Sequence, residues 1–285
     1  MTSEQRLGRR AFLKLGAAAL ATSCAPSQTG LLKVAMLHLE PRIGEMDRNC
    51  DLYGHAMETA ARAGAEWILT PELGLTGYRF DLAIGTDWIR PSPDEWVNRL
   101  RKTAARLGVT LFLGHLELDA ADGKRYNTVF VIGPDGSILG RHRKMNVIPV
   151  SEAWSTPGSG VAPVRAGDID VGILICADAW PEEHARGLKA KGADLLVSSA
   201  TWAPEPHGPE TCWEQRTLDT GLPLMVCNRT GVERDFDMRA SESVVVAGGK
   251  RLVRHTSEHS SVLLVEWDLR ERAVARKSVV GVDAL

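Results

Sequence analysis

Three short apolar runs in this chain each stop on one ionisable side chain, and that pattern limits what the chain can become. Val171, Gly172, Ile173, Leu174 and Ile175 lead to Cys176; Trp67, Ile68, Leu69, Thr70 and Pro71 lead to Glu72; Ser137, Ile138, Leu139 and Gly140 lead through Arg141, His142 and Arg143 to Lys144. Runs of this length bounded by polar breaks read as buried strands. In open α/β layers, ligands collect at strand carboxyl ends. A thiol, a carboxylate and an ammonium meeting there form a workable set. The thiol needs a proton acceptor, and the anion that develops on the attacked group needs a positive neighbour. No histidine is required.

The rest of the chain supplies the layers. Leu32 to Leu39 reads as a first strand, and Arg48 to Ala63 as a helix stopped by Gly64. Pro93 to Leu107 is a second helix, with Trp96, Leu100, Ala104 and Leu107 on one face and Gly108 as its stop, and Val109 to Leu118 is the next strand. Asn127 to Ile132 and Ser137 to Arg141 form a hairpin around Gly133-Pro134-Asp135-Gly136. Beyond Cys176, Glu182 to Lys191, Leu195 to Ser199, Thr211 to Thr220 and Leu222 to Asn228 alternate helix and strand. Ser241 to Val246, Leu252 to Thr256 and Ser261 to Trp267 close as antiparallel strands. Alternating units interrupted by hairpins predict an α/β protein with two sheets covered by helices.

The segments TPELGLTGY (70–78), GRHRKMNVIPVSE (140–152) and ILICADAWPEE (173–183), in this order, resemble the three catalytic segments of the nitrilase (carbon-nitrogen hydrolase) superfamily. The resemblance runs from about Leu31 to about Asp268. It implies a four-layer α-β-β-α sandwich and hydrolysis of a non-peptide carbon-nitrogen bond, in a linear amide or an N-carbamoyl group, without metal or organic cofactor. It makes Cys176 the nucleophile and Glu72 the general base, whose carboxyl should titrate high in a pocket that excludes water. Lys144 becomes the group that holds the oxyanion, with the Ala177 N–H as second donor. Glu152 matches a further glutamate beside the triad, orienting Lys144 and the substrate. Asp178, Trp180 and Trp202, with Ala177, are expected to line the substrate pocket. Glu117 and Asn228 match positions where structural hydrogen bonding is expected. A homo-oligomer is a further implication of the resemblance.

One departure matters. The family segment carries an aromatic residue after the cysteine; here Ala177 takes that place, and the interval to Pro181 and Glu182 is one residue short. The thiol is untouched, but the pocket must differ in shape. Ala177-Asp178, where nitrile hydrolysers carry Trp-Glu, favours amides. The same triad could instead pass its acyl group to an amine, and a non-catalytic binding protein on the same sandwich is the rival from outside enzymology.

The chain has 285 residues with 34 basic and 36 acidic side chains, interspersed and nearly balanced, which gives no attraction to nucleic acid. The domain organisation expected is an export signal over 1–25, a linker over 26–30 and one catalytic domain over 31–285. Arg9 and Arg10 followed by Phe12, Leu13, Lys14 and an alanine-rich stretch resemble a twin-arginine export signal. A cut ahead of Cys24 would leave that cysteine either lipidated, and so the only membrane link, or unmodified. Export to the periplasm or its membrane face is the expectation. Five cysteines without a CxxC pair indicate neither a zinc site nor a disulfide scaffold, and Cys227 in its apolar run reads as a small core residue.

Overall fold

In a computed structural model of the chain, residues 30–204 and 208–282 are described. The leader read over 1–25 and nearly all of the linker read over 26–30 lie outside them. Strand β1 (Leu31–His38) shows how the layers arise. Its Leu32, Val34 and Met36 join one apolar cluster, while Ala35 and Leu37 join another. Side chains that alternate across a strand and are apolar on both faces require cover on both.

One face is covered by helices α1 (Met46–Arg62) and α3 (Glu95–Leu107), which pack Leu52, Tyr53, Ala56, Leu100 and Ala104 into the second cluster. The Asp94 side chain accepts from Val97 N at 2.9 Å to cap α3, and Gly108 ends it in the left-handed region at φ +67°. The short α2 (Phe80–Ile84) lies between them in sequence. The opposite face of β1 meets a second sheet, itself backed by α4 (Glu182–Ala190) and α5 (Cys212–Thr220). The result is the expected four-layer α-β-β-α sandwich.

The first sheet runs β15-β14-β1-β2-β3-β4-β5, and the second β13-β12-β9-β8-β7-β6. The first uses β2 (Trp67–Leu69), β3 (Thr110–Leu118), β4 (Arg125–Ile132), β5 (Ile138–Arg143), β14 (Ser261–Asp268) and β15 (Ala273–Gly281). The second uses β6 (Val164–Ala166), β7 (Ile169–Ile175), β8 (Leu195–Ser199), β9 (Leu224–Cys227), β12 (Ser243–Ala247) and β13 (Lys250–His255). A two-residue pair, β10 (Val232–Glu233) and β11 (Phe236–Asp237), stands apart. Each sheet has three central parallel strands, β1, β2, β3 in one and β7, β8, β9 in the other, flanked by antiparallel ones. Because β4 and β5 each reverse direction, β5 ends on the same side of its sheet as β2.

Most expected elements are present within two residues of their expected limits. Unforeseen are α2, β6, β10, β11 and β15. β15 is an edge strand whose residues from Ala275 to Gly281 are all exposed, so it carries no buried stripe to announce it.

Candidate active site

The carboxyl ends of β2, β5 and β7 bring together Glu72, Lys144 and Cys176. Thr70 fixes the first of these ends. Its hydroxyl donates to Phe112 O at 3.1 Å and accepts from Gly114 N at 2.8 Å, so the chain leaving β2 is fastened to β3. Gly114 is needed there because a Cβ would lie 2.3 Å from Pro71 O and 3.1 Å from Glu72 Cα. Glu72 is thereby pressed inward and is fully buried. The following loop is pinned by Glu233, which accepts from Tyr78 N at 3.1 Å and Arg79 N at 2.6 Å and pairs with the buried Arg229.

Lys144 Nζ donates to Glu72 Oε1 at 2.7 Å and to Glu152 Oε1 at 2.5 Å, and all three side chains are buried. Asn127, on β4, donates through Nδ2 to Glu72 Oε1 at 2.8 Å and to Glu152 Oε1 at 3.4 Å. Ile148 N donates to Glu152 Oε2 at 3.1 Å. The second sheet reaches in through Thr201 N, which donates to Glu72 Oε2 at 3.1 Å. Burial pushes the Glu72 carboxyl up from 4.5 to about 7; the Lys144 ammonium opposes this and the Glu152 charge adds to it. Burial alone would lower the Lys144 ammonium, but Glu72, Cys176 and Glu152 outweigh it and hold the lysine well above its usual range.

Cys176 opens a tight 3-10 turn, Cys176–Ala179, and adopts φ +47°, a left-handed conformation rare for a residue with a Cβ. Such strain persists only where the surroundings enforce it. Cys176 is 6% exposed. Burial first, then the Glu72 charge, push its pKa well above 9.0, with Lys144 and the Thr201 amide pulling the other way. The resting sulfur is therefore a thiol beside a proton acceptor and an ammonium.

The residues expected around the triad separate into two groups. Glu152 stands with the triad. Asp178 is buried beneath Cys176 with both carboxylate oxygens occupied by donors of the protein, which leaves none for a substrate. Trp202 is buried edge-on between Trp180 and Trp213, with ring centroids 5.1 and 5.6 Å away, and its backbone is bracketed by Asn228, which accepts from Trp202 N and donates to Trp202 O. It borders a cavity of about 270 Å³ with Pro204, Pro209 and Arg254. Trp180 is 52% exposed on a separate concavity beside Cys212 and Gln215. Neither cavity is walled by Glu72, Lys144 or Cys176. The tight turn after the thiol carries Trp180 outward, where its carbonyl accepts from Arg216 at 2.7 Å. Glu117 is a hydrogen-bonding residue, accepting from Thr128, Arg141 and Arg143.

Asn127, Thr201 and Tyr78 were not foreseen. Tyr78 Oη bonds Ser151 Oγ at 2.9 Å, and its hydroxyl titrates high through burial and the charges of Glu72 and its neighbours. Asn127 and Thr128 are polar residues inside a strand otherwise apolar from Val129 onward, which was the one readable signal for Asn127. Among the described residues, no group of three or more His, Cys, Asp or Glu side chains is arranged to hold a metal ion.

This assembly can be set against known proteins. The profile of the carbon-nitrogen hydrolase family matches residues 33–277. The chain belongs to the carbon-nitrogen hydrolase family. A relative described as a nitrilase, from Pyrococcus abyssi, is 28% identical over 242 residues, covering 84% of this chain and 90% of that protein. A glutamine-dependent NAD(+) synthetase from Thermotoga maritima is 25% identical over 250 residues, or 84% of this chain; the chain spans only 42% of that longer protein. Among solved structures, an amidase from Nesterenkonia sp. superposes with a TM-score of 0.73 at 24% identity, over 85% of this chain and 93% of that one. That likeness is one of fold.

Proposed function

We propose that this carbon-nitrogen hydrolase cleaves a linear amide or N-carbamoyl group through Glu72, Lys144 and Cys176. The observation that carries the reading is the buried junction in which one ammonium joins two acidic side chains beside a thiol on a strained backbone. Because the thiol titrates high, proton transfer and attack go together: the Cys176 proton passes to Glu72 as sulfur bonds to the carbonyl carbon. Lys144 and the Ala177 N–H hold the oxyanion. The carbon-nitrogen bond then breaks, Glu72 returns the proton to the departing nitrogen, and ammonia or an amine leaves. Water, deprotonated by Glu72, attacks the thioester and releases the acid, and the proton returns to sulfur.

Amides are favoured over nitriles because Ala177-Asp178 stands where nitrile hydrolysers carry Trp-Glu. The test is Cys176→Ala assayed for ammonia release across short amides and N-carbamoyl amino acids. Turnover should vanish while the melting temperature stays close to that of the parent, and activity surviving above a few per cent would exclude the thiol route. We also propose that the enzyme is exported through its arginine pair: Arg9→Lys with Arg10→Lys should retain it in the cytosol, and unchanged export would defeat the idea.

A further inference from the structure

The Asp178 carboxylate sits between the two halves of the site. It belongs to the turn that opens with Cys176, at the end of β7 in the second sheet. Oδ2 accepts from Ile175 N at 3.1 Å and from His142 Nε2 at 2.9 Å; Oδ1 accepts from Met145 N at 2.9 Å and Asn146 N at 2.7 Å. A carboxylate offers about four lone-pair sites, and here each has a donor. Three of the four donors come from the first sheet's side, from residues 142, 145 and 146, which bracket Lys144 in sequence. The reciprocal bond runs from Asn146 Nδ2 to Ala177 O at 2.8 Å, so the residue next to the thiol is tied to the same segment. Asp178 and His142 are buried, with nothing to screen or replace these bonds.

We propose that Asp178, with His142 as its side-chain partner, is a positioning residue: one carboxylate fixes the backbone on both sides of Lys144 against the turn that carries Cys176. The proposal rests on the triad reading above but concerns residues that touch neither substrate nor sulfur. The chain itself does not hold Lys144 at a set distance from the thiol, because the two residues end strands of different sheets. Shift the segment 142–146 outward and the ammonium leaves the oxyanion position, although Glu72 and Cys176 stay where they are.

The test compares His142→Ala, His142→Gln and Asp178→Asn in the full chain. Each is assayed for kcat and KM per titratable Cys176 thiol on an amide the parent hydrolyses, and for the rate of Cys176 alkylation by iodoacetamide, followed by peptide mass spectrometry. His142→Ala should lower kcat about tenfold or more with KM nearly unchanged, the scale of a small misplacement of a catalytic group. His142→Gln keeps an N–H donor and should recover most of that loss. Asp178→Asn cannot accept at its amide nitrogen and should lose at least as much as His142→Ala; if it does not fold, the His142 pair decides alone. Alkylation should slow in the same order, because an ammonium moved away supports the thiolate less. Unchanged kcat per thiol in His142→Ala, or equal losses in the Ala and Gln variants, would overturn the proposal. A parent with no amide turnover would overturn the triad reading instead, and the alkylation rates would still decide the positioning: slower in His142→Ala supports it, equal to the parent sinks it.

Discussion

Two sets of buried carboxylates flank Lys144, and they behave in opposite ways. Glu72 and Glu152 share one ammonium, and most of their donors are side chains, those of Lys144 and Asn127. Asp178 is equally hidden, but three of its four donors are backbone N–H groups. Glu72 is pushed up to about 7 by burial. Burial acts on Asp178 in the same direction, yet the bond and charge of His142 and the Asn146 amide hold its carboxyl below the usual range. What separates them is therefore not depth but the charge around each: Glu72 shares its ammonium with a second carboxylate, whereas Asp178 is held by His142 first and by fixed amides after it.

The contrast breaks hardest at Lys144. Lys144→Met leaves two carboxylates in a dry site without their cation, and should lower turnover by roughly 10²–10³. It should also destabilise the fold by about 3–5 kcal/mol, the scale for unpairing a buried charge. Ammonia release and denaturant unfolding measure the two losses, and a stable, active variant would mean the ammonium is not what holds the cluster.

Glu72→Gln should lower turnover by roughly 10² and remove a pH dependence as well. With the carboxyl needed as a base, kcat/KM of the parent should rise as pH passes through about 7, and that limb should be missing from the residual activity of the variant. The stability signs are opposite for Glu72 and Asp178. The folded state holds the Glu72 proton more tightly than the unfolded chain, so this group's contribution is greatest at low pH and falls as pH rises from 4.5 through about 7. The Asp178 contribution is present above the ordinary aspartate range and is lost as pH falls through its lowered value. A parent and variant that unfold with the same pH profile would remove the distinction.

The smallest effect is expected at Arg143. It precedes Lys144 yet faces away from the triad, pairing with Glu117 and Asp119 and lying 3.8 Å over the Tyr126 ring. Arg143→Ala should keep turnover within about threefold, since its partners are Glu117 and Asp119 and not Glu72, Lys144 or Cys176, although the buried Glu117 loses a partner and stability should fall. If Arg143 proved essential and Lys144 dispensable, the roles in that basic run would have to move by one residue.

The strand ends at Glu72, Lys144 and Cys176 were legible because an apolar run that halts on a charge is a local pattern. Gly108 and the Gly133–Gly136 turn were legible for the same reason, since backbone freedom is written in a single residue type. The contacts that complete the site are not local. Asn127 meets Glu72 across 55 positions of sequence and Thr201 across 129, so no periodicity could announce them. Asp178 was read as pocket lining because it follows the thiol. Its actual partners lie 32 to 36 residues upstream, at the end of β5 and just after it, except for Ile175. Trp180 follows the thiol closely in sequence, but the tight turn carries it out to an exposed position, and β15 escaped because an exposed edge strand leaves no hydrophobic stripe.

Glu72 and Lys144 ride on the first sheet and Cys176 on the second, with Thr201 and Asp178 as the rivets between them. On the proposed mechanism the gap between the sheets is thus a dimension of the catalyst as well as of the core. Turnover becomes a ruler for that gap. A chain whose sheets are each intact but not fully seated on one another keeps its circular dichroism and loses its chemistry, so in denaturant the enzyme should fall silent before it melts.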